Sequence, residues 1–145
     1  MSHDALVSAF RFPDKFLLYA SNQTTTGLWI AREPAEVFQE TTELGERVLR
    51  MLDQPVDIIP HPKVWNKDSA AFYIKAAGCR SHKQFMEQSV HVSVSKRSGK
   101  LLISPTRRLI TRRAWENTMH ADVVVKSQDP QDIRDALLKA FELAE

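Results

Sequence analysis

The sequence predicts an α+β fold in which helices pack on a mainly antiparallel sheet. A β-hairpin over residues 90–104 is the strongest indication, because apolar and polar residues alternate on both sides of a glycine turn. An amphipathic helix over residues 130–143 is the second, since apolar residues recur there at helical spacing. The length of 145 residues is that of one domain, so residues 1–145 are expected to form a single unit.

Two strands are predicted in the first third of the chain. Residues 16–20 form a short apolar run with aromatic ends, and residues 27–31 form another that stops near Pro34. The polar residues 21–26 between the two strands are expected to form a loop.

A helix is predicted over residues 43–53, with Thr42 as its N-cap. Gly45 lowers the helix propensity by about 1 kcal/mol, so we expect this glycine to allow close packing. The apolar residues of this segment recur at helical spacing and share one face; they are Leu44, Val48, Met51 and Leu52.

Two short helices are predicted in the middle of the chain. Asp68 caps the first, over residues 69–77, although residues 72–74 could equally form a strand. Ser81 caps the second, over residues 82–87. The preceding segment, residues 54–64, contains three prolines and is expected to be a connector.

The hairpin over residues 90–104 is predicted to bury one of its faces. Val94 and Ile103 lie opposite each other across the turn, so both should point into the core. His91 alternates with the valines and should therefore face the other way. A further strand is expected within residues 119–126, and Asp129 is expected to cap the last helix.

The distribution of charge is uneven although the net charge is only +2. Residues 1–62 carry 5 basic and 9 acidic side chains, residues 63–121 carry 12 and 3, and residues 122–145 carry 3 and 6. Such asymmetry favours two electrostatically distinct surfaces, which suit macromolecular partners.

Several function classes are disfavoured by what the sequence lacks. The chain has one cysteine, Cys79, so it has no internal disulfide and no multi-cysteine metal site. No signal peptide and no membrane-spanning apolar run is recognisable, so a cytoplasmic location is expected. No nucleotide-binding, hydrolase or metalloprotease motif occurs, and we therefore assign no catalytic residue, cofactor or metal ligand.

A small hydrolase is the weakest of three functional hypotheses. It would use Cys79 as a nucleophile, or a histidine such as His82 or His91 as a base. No carboxylate stands at a fixed spacing to orient either histidine, and a lone cysteine is more often a small apolar core residue.

A nucleic-acid-binding module is the second hypothesis. Arginine forks bind phosphates, and Trp115 could stack on a base beside them. The near-neutral charge of the whole chain disfavours this function, and the arginines could equally pair with carboxylates of the same chain. The arginines of this cluster are Arg107, Arg108, Arg112 and Arg113.

Several segments resemble one group of bacterial contact-dependent growth inhibition immunity proteins (CdiI). That group has an S-x-K-x-F turn, an SVS strand, a GK turn and a strand that ends in PT. The matching segments here are SHKQF at 81–85, VHVSVSK at 90–96, GK at 99–100 and ISPT at 103–106. GLWI at 27–30, TELG at 42–45 and AFE at 140–142 are also similar to that group.

The resemblance implies an immunity protein that is not an enzyme. Such a protein binds the C-terminal toxin domain of its cognate CdiA-type effector, often a nuclease, and blocks its activity. Nuclease sites hold phosphates and are commonly basic, so acidic residues are the expected contact surface. The candidates are Glu33, Glu36, Glu40, Glu43 and Glu46, which could equally serve to solvate a helix face.

Overall fold

The computed structural model describes residues 4–61, 70–109, 111, 114–118 and 122–145. Its strands are β1 (Ala5–Arg11), β2 (Phe16–Thr24), β3 (Trp29–Phe38), β4 (Ile58–Ile59), β5 (Val90–Arg97), β6 (Lys100–Leu109), β7 (Ala114–Asn117) and β8 (Val123–Val125). Its helices are α1 (Leu44–Asp53), α2 (Ala71–Ala76), α3 (His82–Gln88) and α4 (Pro130–Leu143), and a 3-10 turn, Thr41–Glu43, precedes α1. The predicted α+β class is confirmed.

One sheet contains all eight strands. Six of them follow the order β3-β2-β1-β5-β6-β7 with antiparallel neighbours, and β8 also pairs with β6 in antiparallel fashion. The two-residue strand β4 pairs with β2 in parallel. The central strand β1 was not predicted, because it is buried on both faces and its sequence, ALVSAFR, lacks the alternation of a half-exposed strand.

The main hydrophobic core lies between one face of the sheet and the helices α1 and α4. Val7, Val94 and Ile103 have no exposed surface there, which confirms the prediction that Val94 and Ile103 face the core. The buried side chains of α4 are Ile133, Leu137, Ala140 and Phe141, as the helical spacing predicts.

A second cluster of apolar side chains covers half of the opposite face, beneath α2 and α3. Phe10 stands at its centre, with five aromatic rings around it. The distances between ring centroids are 4.9 Å to Phe85, 4.7 Å to His91, 5.7 Å to Tyr19, 6.3 Å to Tyr73 and 5.6 Å to Trp115. His91 thus faces away from the valines, as predicted, but into a second core.

The hairpin of β5 and β6 follows the predicted register, with a turn at Ser98 and Gly99. Both turn residues have positive φ, 52° and 77°, which is the backbone of a tight two-residue hairpin loop. The strand β6 runs on to Leu109, beyond the predicted end at residue 104.

The helix starts are partly as predicted. Ser81 and Asp129 cap α3 and α4, accepting hydrogen bonds from the backbone N–H groups of Gln84 and Gln131. The predicted Thr42 cap is wrong: a 3-10 turn precedes α1, and its N-cap Glu43 makes no side-chain capping bond. The predicted Asp68 cap lies outside the described residues.

The predicted boundaries of β2 and β3 are too short. The expected loop over residues 21–26 is strand as far as Thr24, and β3 continues through Pro34 to Phe38. Pro34, preceded by a cis peptide bond, is tolerated because β3 is an edge strand and its pairing with β2 shifts register here.

Candidate functional site

Two of the five candidate glutamates are engaged with arginines of α1. Glu36, on β3, is half-buried and its Oε1 accepts from Arg47 at 2.7 Å and from Arg50 at 3.1 Å. Glu43 pairs with Arg47 at 3.3 Å. Glu36 therefore joins the edge strand β3 to α1, and Glu43 contacts the same Arg47 from the turn before α1. The sequence did not reveal this structural role.

The other three glutamates are exposed. Glu33 lies on β3, Glu40 lies in the connection after β3, and Glu46 lies in the first turn of α1. Within the described ranges none of them takes part in an ion pair. They are the members of the acidic set that could meet a basic partner.

The two arginines of the cluster that the structure describes, Arg107 and Arg108, are engaged within the chain. Arg107 forms an ion pair with Glu116, its cross-strand neighbour on β7. Arg108 donates from Nη1 to the carbonyl oxygens of Met86 at 3.0 Å, Glu87 at 3.0 Å and Ser89 at 3.2 Å. It therefore satisfies carbonyl groups that the end of α3 leaves without helical partners.

The other residues of the hypothetical nucleic-acid site are Arg112, Arg113 and Trp115. Arg112 and Arg113 lie outside the described residues. Trp115 packs against Phe10 and against His91, whose ring centroid is 5.1 Å away, so it is a partly buried side chain at the edge of the second core. The three described members of the set, Arg107, Arg108 and Trp115, all have partners within the chain.

Cys79 has the wrong electrostatics for a nucleophile. Burial raises the pKa of its thiol, which lowers the population of the reactive thiolate. Its Sγ lies 3.9 Å from Oε1 of Gln88, while His82 packs on the ring of Phe85. In the part of the chain that the structure describes, no group of three His, Cys, Asp or Glu side chains could hold a metal ion.

His91 is a neutral histidine inside the second core. The Thr106 hydroxyl donates its one proton to the His91 carbonyl oxygen at 2.8 Å, so it must accept from His91 Nδ1, 2.9 Å away. The ring is therefore protonated at Nδ1, and Nε2 is buried without a hydrogen-bond partner. Desolvation lowers the pKa of His91 to about 3.

The free energy of unfolding should fall in acid because of this histidine. Below pH 6.5 His91 binds a proton in the unfolded chain, whereas in the folded chain it stays neutral until about pH 3. Protonation therefore favours the unfolded chain, and the stability present at neutral pH is lost as the pH falls. At pH 4.5 the loss from this residue should be about 2–3 kcal/mol. Urea unfolding at pH 7 and pH 4.5 should show a smaller difference for His91→Gln than for the wild type. His61→Gln, at an exposed site, is the control, and an unchanged pH dependence in His91→Gln would contradict the prediction.

The uncovered half of the same sheet face forms a cavity of about 250 Å³, which we call the serine groove. Its floor consists of Ser93, Ser95 and Ser104, and Trp29 on β3 is among its lining residues. Ser93 pairs across the sheet with Ser104 and with Ser8, so small side chains lie side by side on three strands. The carboxyl-bearing lining residues are Asp4 and Asp122.

The serine groove was missed at the level of sequence. The alternation of the hairpin does place Ser93 and Ser95 opposite the valine face, which was the available signal. Trp29, Asp4 and Asp122 come from distant segments, and only the strand order brings them to the same cavity.

None of the helices in the described ranges is long and apolar enough to cross a membrane. No protein-family model and no curated protein matches the chain.

Two solved structures share the fold at 15% sequence identity each. A protein of unknown function from Neisseria meningitidis, NMB0488, matches with a TM-score of 0.78 over 100% of this chain and 98% of that chain. A chain of the CdiA-CT/CdiI toxin and immunity complex from Yersinia pseudotuberculosis matches with a TM-score of 0.72 over 99% of this chain and 98% of that chain. At this identity the likeness concerns the fold.

Proposed function

We propose that this protein is an immunity protein that binds the C-terminal toxin domain of a cognate CdiA-type effector and neutralises it in the cytoplasm. The observation that carries the proposal is the likeness over 99% of the chain to a component of a toxin and immunity complex. The motif resemblance in the hairpin and its flanks points the same way. The protein acts by stoichiometric binding and performs no reaction of its own.

The toxin is proposed to be a nuclease that meets the exposed acidic residues. Nuclease sites concentrate positive charge to hold phosphates, so a carboxylate-bearing surface is complementary to them. Glu33, Glu40 and Glu46 supply that charge, because Glu36 and Glu43 are held by Arg47. Exposed charges of this kind act mainly on the rate of association and on its salt dependence.

The proposed function predicts that a large secreted effector is encoded next to this protein, and the C-terminal domain of that effector is the partner with which neutralisation is tested. Co-expression should restore growth to cells that produce the toxin domain, and the purified pair should form a one-to-one complex. The triple variant Glu33→Gln, Glu40→Gln, Glu46→Gln should associate about tenfold more slowly at low salt, measured by stopped-flow or surface plasmon resonance.

The matched control carries three neutralised acids elsewhere on the surface, Asp14→Asn, Asp132→Asn and Glu142→Gln. Its association rate should stay within a factor of two or so of the wild type. Absence of binding and of rescue by the wild type would refute the proposed function. Equal rates for the two triple variants would refute the acidic contact surface alone.

The nucleic-acid hypothesis receives no support from the described residues. Arg107 pairs with Glu116, Arg108 bonds to the end of α3, and Trp115 packs, partly buried, against the second core. We therefore propose no second function.

A further inference from the structure

The serine groove exposes polar groups that the chain itself does not pair. Ser104 is only 7% exposed, yet its hydroxyl makes no hydrogen bond to any described residue. The hydroxyls of Ser93 and Ser95, beside it in the same cavity, are also without such bonds. Hydroxyl oxygens that face a cavity and have no partner in the chain can accept hydrogen bonds from a ligand that enters it.

The charges around the groove favour a cation. Asp4 and Asp122 are exposed carboxylates, and neither has an ion-pair partner in the described ranges. The ammonium of Lys96 is held by Asp53 at 3.3 Å and its side chain is 12% exposed. Because Lys96 is paired with Asp53, Arg97 is the other cationic lining residue near the carboxylates of Asp4 and Asp122.

The size of the groove suits one long side chain. Drug-sized ligands occupy pockets of roughly 300–1,000 Å³, and this cavity measures about 250 Å³. An arginine offers five N–H donors in a plane, which matches a floor of hydroxyl acceptors. Trp29 supplies an aromatic face on which a guanidinium can stack.

We propose that the serine groove receives an arginine side chain of the toxin domain. The guanidinium would donate to Ser93, Ser95 and Ser104 and would lie near the carboxylates of Asp4 and Asp122. This inference rests on the proposed function, and it adds an anchor to the exposed glutamates. A buried arginine anchor acts chiefly on the dissociation rate, whereas exposed charges act on association.

The first experiment measures dissociation of the complex with the toxin domain. Ser104→Ala removes the hydroxyl without adding bulk to the groove, and Asp122→Asn removes one charge. Each should raise the dissociation rate about tenfold, and the double variant should raise it further. Asp14→Asn, at an exposed turn outside the groove, should leave the rate unchanged.

The second experiment needs no toxin. Ethylguanidinium at millimolar concentration is titrated into the protein, and the indole N–H signal of Trp29, assigned with Trp29→Phe, is followed by NMR. The signal should shift in a saturable way, and the shift should weaken in Ser104→Ala. Sodium acetate should produce no such shift.

The outcomes separate the two proposals. If the wild type does not bind the toxin, the proposed function fails, and the guanidinium titration still decides whether the groove is a cation site. If the toxin binds but the groove variants dissociate at the wild-type rate, the anchor is refuted. Saturable binding of acetate instead of guanidinium would also overturn it.

Discussion

Replacing Gly45 with alanine is expected to lower the free energy of unfolding by about 2–3 kcal/mol, because a methyl group has no room there. A Cβ at this position would overlap the backbone carbonyl of Pro130, which opens α4. Backbone cannot turn away as a side chain can, so α1 and α4 would have to separate. Urea unfolding followed by circular dichroism would measure the loss.

The sign of this effect distinguishes packing from helix propensity. In an exposed helix position, glycine to alanine should gain about 1 kcal/mol. Glu46→Ala, the next residue of α1 and exposed, tests the intrinsic tolerance of the helix and should change stability by no more than about 0.5 kcal/mol. A Gly45→Ala variant that is as stable as the wild type would show that the close approach of the helices is dispensable.

Replacing Phe10 with alanine is expected to cost about 3–5 kcal/mol, the range for a buried aromatic residue. Phe10 is 1% exposed and contacts rings from β2, α2, α3, β5 and β7. Its removal would leave a cavity under both short helices of this face. Denaturant unfolding at neutral pH would measure the change.

Two further variants make this result interpretable. Phe10→Leu keeps much of the apolar volume and should lose clearly less stability than Phe10→Ala. Leu28→Ala, at a side chain that is 48% exposed, should lie within about 0.5 kcal/mol of the wild type. Equal stability of Phe10→Ala and Leu28→Ala would mean that the aromatic cluster does not hold α2 and α3 to the sheet.

The position of the aromatic cluster also explains why part of the sheet remains open. The aromatic row, with Phe10 and His91 as neighbours, is covered by the second core. The next row of cross-strand neighbours is Ser8, Ser93 and Ser104. Their hydroxyls can remain in contact with water, whereas apolar side chains at these positions would need a helix packed over them. A step of two residues along a strand, such as from His91 to Ser93, therefore leads from the second core to the serine groove.

The elements that the sequence predicted well are those that local interactions determine. Residues 90–104 alternate with period two and contain Gly99, so the hairpin needs no distant partner to be recognised. Ser81 and Asp129 bond to backbone groups two or three residues away, which is why both caps were correct. The apolar face of α4 was also predicted correctly, because helical spacing repeats over a few residues.

Tertiary structure decided the features that depend on residues far apart in the chain. Because β1 is buried on both faces, its sequence lacks the apolar and polar alternation by which a strand is recognised. Because β3 is an edge strand, it can continue through Pro34. Contacts with α1 and α3 give Glu36 and Arg108 structural partners that the sequence did not reveal.

The sequence by itself therefore determined the fold class, the hairpin and the faces of the long helices, and it supplied the charges. The strand order determined which charges remain exposed and which small residues line a groove. The physical reason is range: helix caps, turns and side-chain periodicity act over a few residues, whereas burial and ion pairing depend on neighbours that only the folded chain brings together.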